Sequence, residues 1–174
     1  MEEFGGMIHR VSHKETMIRL KESEQLLADM IVGDAAAVAE YIKRVHMKES
    51  VPIWYNNEQA LSAVVKLTFF TYRDHYVKLA ELPSGTGYAN IAYIPKKYDP
   101  APALIVELKA GGTPEEAIEQ IRSRDYASSI VGFGGNTLLV AITYDKDGKP
   151  KPHHCRIEKS EPQRTGYSVV GIYG

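Results

Sequence analysis

The sequence predicts an α/β fold: a mixed central sheet flanked by helices and preceded by an N-terminal helical hairpin. Three observations lead there. The run Leu104-Ile105-Val106 is continuously apolar, as in a strand buried on both faces. Segments with helical periodicity alternate with such runs and begin at recognisable caps, Thr113 followed by Pro114, Glu115 and Glu116 being the clearest. Turn signals at Pro83-Ser84-Gly85-Thr86-Gly87 and Asp145-Lys146-Asp147-Gly148-Lys149 separate strands at hairpin spacing. The resulting order is a helical hairpin, then helix, three-stranded meander, helix and strand, with one further strand added. The 174 residues fit one domain of ordinary size, divided here into a helical extension over 1–50 and an α/β unit over 51–174.

Taken in order, Met1–Arg10 is expected to fray. Ser12 and Glu15 have capping-box spacing, and the apolar residues Met17, Ile18, Leu20, Leu26, Leu27, Met30 and Ile31 follow as a patchy stripe. Gly33 ends this helix. Asp34 caps the next, which carries Val38, Tyr41, Ile42 and Val45. The hairpin they form shows no chemistry, and its expected role is packing or docking towards a neighbouring domain. Val51–Tyr55 reads as a linker. Asn56 or Asn57 caps a third helix through Leu61, Val64, Val65 and Leu67, with Glu58 in a first turn whose dipole favours an acid. Strands are expected over Tyr76–Glu81, Gly87–Pro95 and Ala103–Lys109, a helix from Pro114 to about Ile130, then strands Thr137–Tyr144 and His153–Glu158. Tyr167–Tyr173 is apolar enough for a last strand or a contact.

Composition narrows the function classes. Charged and apolar shares are those of a soluble globular protein. No run is long enough to span a bilayer, and no charged-then-apolar leader is visible. The single cysteine, Cys155, forms no internal disulfide, which suits a cytoplasmic setting. A net charge of −1 at pH 7 supplies no global basic field, so any nucleic-acid contact must rest on a local patch. The glycines of residues 83–87 lack the lysine-serine/threonine ending of a phosphate-binding loop. His153, His154 and Cys155 suggest zinc, but neighbours on a strand face opposite ways and make a poor chelate. There is no GxSxG elbow.

The chemistry concentrates on Leu104-Ile105-Val106-Glu107-Leu108-Lys109. Glu107 and Lys109 are two apart on a strand, so both charges should emerge side by side on one face. Such a pair beside a core is costly unless the two neutralise each other or bind an ion. A turn over Lys96–Pro102 would bring Asn90 of the preceding strand close to them. An amide on one strand and Glu-x-Lys on the next suit a divalent cation, because hard cations take clustered oxygens. Lysine would then orient a water or stabilise a phosphorane-like transition state. A structural ion pair between Glu107 and Lys109 is the competing explanation.

The run Glu81–Asn90, Ile94-Pro95, Glu107-Leu108-Lys109 and Thr113–Ile121 with Tyr126 resembles the PD-(D/E)xK nuclease superfamily. More narrowly, it is similar to the nuclease domain at the C-terminal end of bacterial AAA-ATPase-like proteins. The resemblance covers roughly residues 55–158. It implies a restriction-endonuclease-like αβββαβ core and hydrolysis of DNA phosphodiesters with Mg²⁺ or Mn²⁺, endonuclease activity included. It further implies that Glu107, Asn90, Glu58 and the backbone carbonyl of Leu108 hold the metal, that Lys109 acts on the water, and that Gln120 braces the site. Arg122 and Arg124 would meet phosphates or serve as ordinary surface charge, and Tyr126 would stack or pack. An ATPase-like partner and oligomer formation are compatible with it. Asn90 departs from the family, which has aspartate there, so a binding domain without catalysis is the alternative function.

Overall fold

The computed structural model describes residues 2–49, 65, 72–79, 91–123, 136–148 and 151–160. Four helices lie among them: α1 (Glu2–Val32), α2 (Ala35–Glu49), the single turn α3 (Tyr72–His75) and α4 (Pro114–Ser123). The five strands are β1 (Tyr76–Leu79), β2 (Ile91–Pro95), β3 (Ala103–Ala110), β4 (Thr137–Tyr144) and β5 (His153–Ser160). They form one sheet in the order β1-β2-β3-β4-β5. All neighbouring pairs are antiparallel except β3 and β4, which run parallel. The α/β class with a mixed sheet is therefore as expected. β3, the middle strand, runs parallel to β4 because the α4 crossover, unlike a hairpin, returns the chain in the same direction.

The two sheet faces have different covers. On one, Leu26 and Met30 of α1 and Val38 and Ile42 of α2 join Tyr93, Leu104, Val106, Leu108, Leu138, Val140, Ile142 and Tyr144 in one buried cluster. The helical hairpin thus shares its core with the sheet. On the other face, Ala117, Ile118 and Ile121 of α4 pack on Ile105, Leu139 and Ala141. The two covers account for the burial of every residue from Ala103 to Leu108.

The helical hairpin is built where local signals place its turn. Gly33 adopts φ 86°. Its N–H donates to the carbonyl of Asp29 (3.0 Å), as does that of Asp34 (2.8 Å), closing α1 with a left-handed glycine. Asp34 Oδ1 then accepts from the N–H of Ala37 at 3.0 Å and caps α2.

Two expectations for α1 fail. The helix runs unbroken from Glu2, so residues 2–10 are helical rather than frayed and Ser12 lies inside the helix instead of capping it. Only part of the apolar stripe packs. Leu26 and Met30 are buried, whereas Met17, Ile18 and Ile31 are exposed, because only the face of α1 that carries Leu26 and Met30 joins the core shared with α2 and the sheet.

The β2–β3 hairpin turns over Lys96–Pro102 as expected, with the N–H of Asp99 donating to the carbonyl of Lys96 at 3.0 Å. β3, β4 and β5 cover their expected spans, β3 one and β5 two residues longer. The linker 51–55, the cap at 56–57, the stretch 80–90, the helix beyond 123 and the segment 167–173 lie outside the described residues. Among the described residues no helix is long and apolar enough to cross a membrane.

Candidate functional site

Strand alternation divides β3 between the two covers. Leu104, Val106 and Leu108 join the helical-hairpin cluster, and Ile105, Glu107 and Lys109 fall on the α4 side. Glu107 and Lys109 therefore share a face, as expected, but they do not emerge together. Glu107 is 0% exposed and Lys109 is half-buried. The difference is depth. Glu107 stands opposite Ala141, itself beneath the apolar stripe of α4, whereas Lys109 is two residues nearer the strand's end. A fully buried carboxylate persists only where a proton, cation or donor balances it.

The register extends the row across the sheet. Lys109 pairs with Thr143 and Thr143 with His154; Glu107 pairs with Ala141 and Ala141 with Arg156. Thr143 is fully buried, and its Oγ1 has no hydrogen-bond partner among the described residues. An unmet buried hydroxyl costs about 1–3 kcal/mol, so a water or a ligand oxygen beside Lys109 would be favoured. Sequence reasoning passed over Thr143. The available signal was a lone hydroxyl directly after the apolar run Leu138–Ile142 and before Tyr144.

The lid of this site, α4, is held at both its start and its flank. Gly111 and Gly112 take φ 93° and 75°, turning the chain so that only three residues separate β3 from α4. A reciprocal capping box follows: the N–H of Glu116 donates to Thr113 Oγ1 (3.2 Å) and the N–H of Thr113 to Glu116 Oε2 (3.0 Å). Along the flank, Arg156 of β5 donates to Glu115 (2.9 Å) and Glu158 (2.6 Å). Arg122 donates to Glu119 (2.9 Å) and also to Glu158. Arg122 is thus engaged by carboxylates. The Glu115 carboxyl is held below its ordinary value, first by its own backbone N–H and then by Arg156. Gln120 is half-buried beside the packed stripe.

Of the remaining candidates, Leu108 has its side chain in the opposite core, leaving only its carbonyl for a ligand role. Asn90 and Glu58 lie outside the described residues, as do Arg124 and Tyr126. Ile91, next after Asn90 in the chain, is paired with Val106, the residue before Glu107. Among the described residues no group of three His, Cys, Asp or Glu side chains is placed to hold a metal ion. The two described donors, the Glu107 carboxylate and the Leu108 carbonyl, are hard oxygens and suit Mg²⁺ or Mn²⁺ rather than a soft metal.

The opposite face carries a polar pair that sequence reasoning also missed. His46 of α2 is 0% exposed and His153 of β5 is 8% exposed. Their Nδ1 and Nε2 atoms are 2.9 Å apart. His153 Nδ1 lies 3.1 Å from the carbonyl of Lys151, an acceptor, so that nitrogen carries the proton. When neutral, His153 must then accept at Nε2 and His46 must donate from Nδ1. Tyr144 stacks on His153 with ring centroids 5.4 Å apart. The missed signal was spacing: Val38, Ile42 and His46 recur every four residues on one helix face. His154 points away from His153 and is exposed, so the three adjacent zinc candidates are split between faces. Burial pushes the Cys155 thiol up to about 12, the state of an inert structural cysteine.

No family model matches the chain, and no curated protein matches its sequence.

Proposed function

We propose that this chain is a divalent-metal-dependent DNA nuclease of the PD-(D/E)xK type, on a restriction-endonuclease-like core. The observation that carries the proposal is a fully buried carboxylate, Glu107, two residues before a half-buried Lys109 at the end of the middle strand. A meander into that strand, a crossover helix and a parallel β4 support the reading. Glu107, the Leu108 carbonyl, Asn90 and Glu58 would hold Mg²⁺ or Mn²⁺. When bound, the cation would acidify a water and offset charge on the phosphate. Lys109 would orient that water, with the Thr143 hydroxyl beside it in the strand register accepting or donating to the same oxygen. Gln120 would brace the site.

Asn90 favours a second outcome. An amide oxygen ligates without negative charge, so metal affinity should be lower than with aspartate. If Glu58 does not compensate, the domain would serve nucleic-acid or protein binding beside an ATPase-like partner. The discriminating experiment assays cleavage of single- and double-stranded DNA with Mg²⁺ or Mn²⁺, together with Mn²⁺ calorimetry. Asn90→Asp should raise both activity and affinity, and Glu107→Ala and Lys109→Ala should remove activity. If neither the wild-type chain nor Asn90→Asp cuts DNA, the nuclease proposal is wrong.

A further inference from the structure

At the tip of the β2–β3 hairpin, Tyr98 combines two unusual properties. It is 90% exposed, and it is the one non-glycine with positive φ among the described residues, at 74°. A bulky side chain rarely occupies that backbone region, and residues held there concentrate at binding and catalytic sites. The tip is braced around it. The N–H of Lys96 donates to the carbonyl of His75 (2.8 Å), and His75 Nδ1 donates to Asp99 Oδ2 (2.9 Å). Asp99 Oδ1 accepts from the N–H of Ala101 (3.0 Å). That backbone bond, then the histidine, keep the Asp99 carboxyl below its ordinary value. The local acid is therefore tied inward, while Lys96 and Lys97 are exposed. The Lys97 ammonium sits 5.0 Å from the Tyr98 ring centroid. A cleft of about 400 Å³ adjoins Asp99 and is lined in part by Pro100, Asn136 and Lys159, the last an exposed cation.

We propose that this tip is a stacking contact for single-stranded DNA: Tyr98 receives a base on its ring, and Lys96, Lys97 and Lys159 receive the flanking phosphates. Aromatic platforms fringed by lysines bind single strands in this way, without reading sequence. Duplex DNA hides its base faces and offers Tyr98 nothing to stack on. The choice of DNA rests on the proposed nuclease function, but the site is separate from it. From Ala103 to Lys109 the strand rises about 20 Å, carrying the candidate catalytic residues away from the tip. A single strand engaged at both would be anchored at one end of β3 and presented at the other.

The test is fluorescence anisotropy of a labelled oligothymidylate in EDTA, so that cleavage plays no part. Wild type and Tyr98→Phe should bind alike. Tyr98→Gly should bind at least about fivefold more weakly, the low end of one lost stacking contact. Because glycine relieves the positive φ, Tyr98→Gly should also melt at the same or a higher temperature. Lower affinity in a chain that is no less stable is an outcome that a merely structural tyrosine would not produce. Equal binding by wild type and Tyr98→Gly, or no binding by wild type, would overturn the proposal. Cleavage assays on the same variants keep the two ideas apart. Glu107-dependent cutting with no effect of Tyr98→Gly on binding rejects the tip alone. Tyr98-dependent binding in a chain that never cuts rejects the nuclease alone.

Discussion

Acidification should loosen this protein through His153. Burial holds its folded-state pKa below the ordinary 6.5, and the Lys151 carbonyl opposes that shift. Among the neighbouring charges, Lys43 of α2 and His154 of β5 also disfavour the imidazolium, while Glu40 of α2 favours it. Because the folded-state value is depressed, the unfolded chain takes up the proton first. The His153 contribution is therefore complete above about pH 6.5 and declines as pH falls from there towards the folded-state value. Within that window the slope approaches about 1.4 kcal/mol per pH unit for one extra proton in the unfolded chain. The geometry adds a limit. The His46–His153 bond tolerates one added proton, but with two it sets N–H against N–H at 2.9 Å, separating α2 from β5. Urea unfolding followed by far-ultraviolet circular dichroism from pH 8 to pH 5.5 measures this. His153→Phe keeps the ring but strands the His46 donor, and should cost about 1–3 kcal/mol at pH 8 while flattening the acid slope. The difference in slope between the two proteins reports the His46–His153 pair. Coincident slopes would refute the reasoning. The carboxyls held low at Asp99 and Glu115 act in a separate, more acidic window. Their stabilisation is present above their ordinary values and fades below them.

Cys155 should resist alkylation by iodoacetamide at pH 8 in the native protein and react readily in urea, because burial raises its thiol to about 12 and the thiolate is the nucleophile; equal rates would contradict its packed position. Gly112→Ala should cost about 1–2 kcal/mol in chemical denaturation, since φ is 75° and the new Cβ would lie 2.8 Å from the Glu116 oxygen that caps α4. Gly111→Ala, with φ 93° and open space, should cost less; equal losses would show that the cap is not involved.

Much of the scaffold was legible because its signals are local. Gly33 and Asp34 place the α1–α2 turn with a left-handed glycine and a side-chain cap. Thr113, Pro114 and Glu116 open α4 through hydrogen bonds within four residues. The apolar run Thr137–Tyr144 emerged with its expected bounds. Failures came where a local signal was outweighed. Ser12 offers a cap, but α1 continues through it, since capping spacing states only that a helix can begin there. The site was half legible. Period-two alternation placed Glu107 and Lys109 on one face, yet no property of that segment distinguishes a carboxylate at the surface from one beneath a helix.

By itself, then, the chain order of charges, glycines and apolar runs determined the element sequence, the mixed sheet and the face on which Glu107 lies, because each depends on residues close together in the chain. Only the tertiary structure decided depth and partnership. Ala141 and the α4 stripe enclose Glu107, Thr143 arrives beside Lys109, and His46 meets His153 across 107 positions. Those contacts follow from how the two helical covers close on a sheet, and that closure is a property of packing between distant segments.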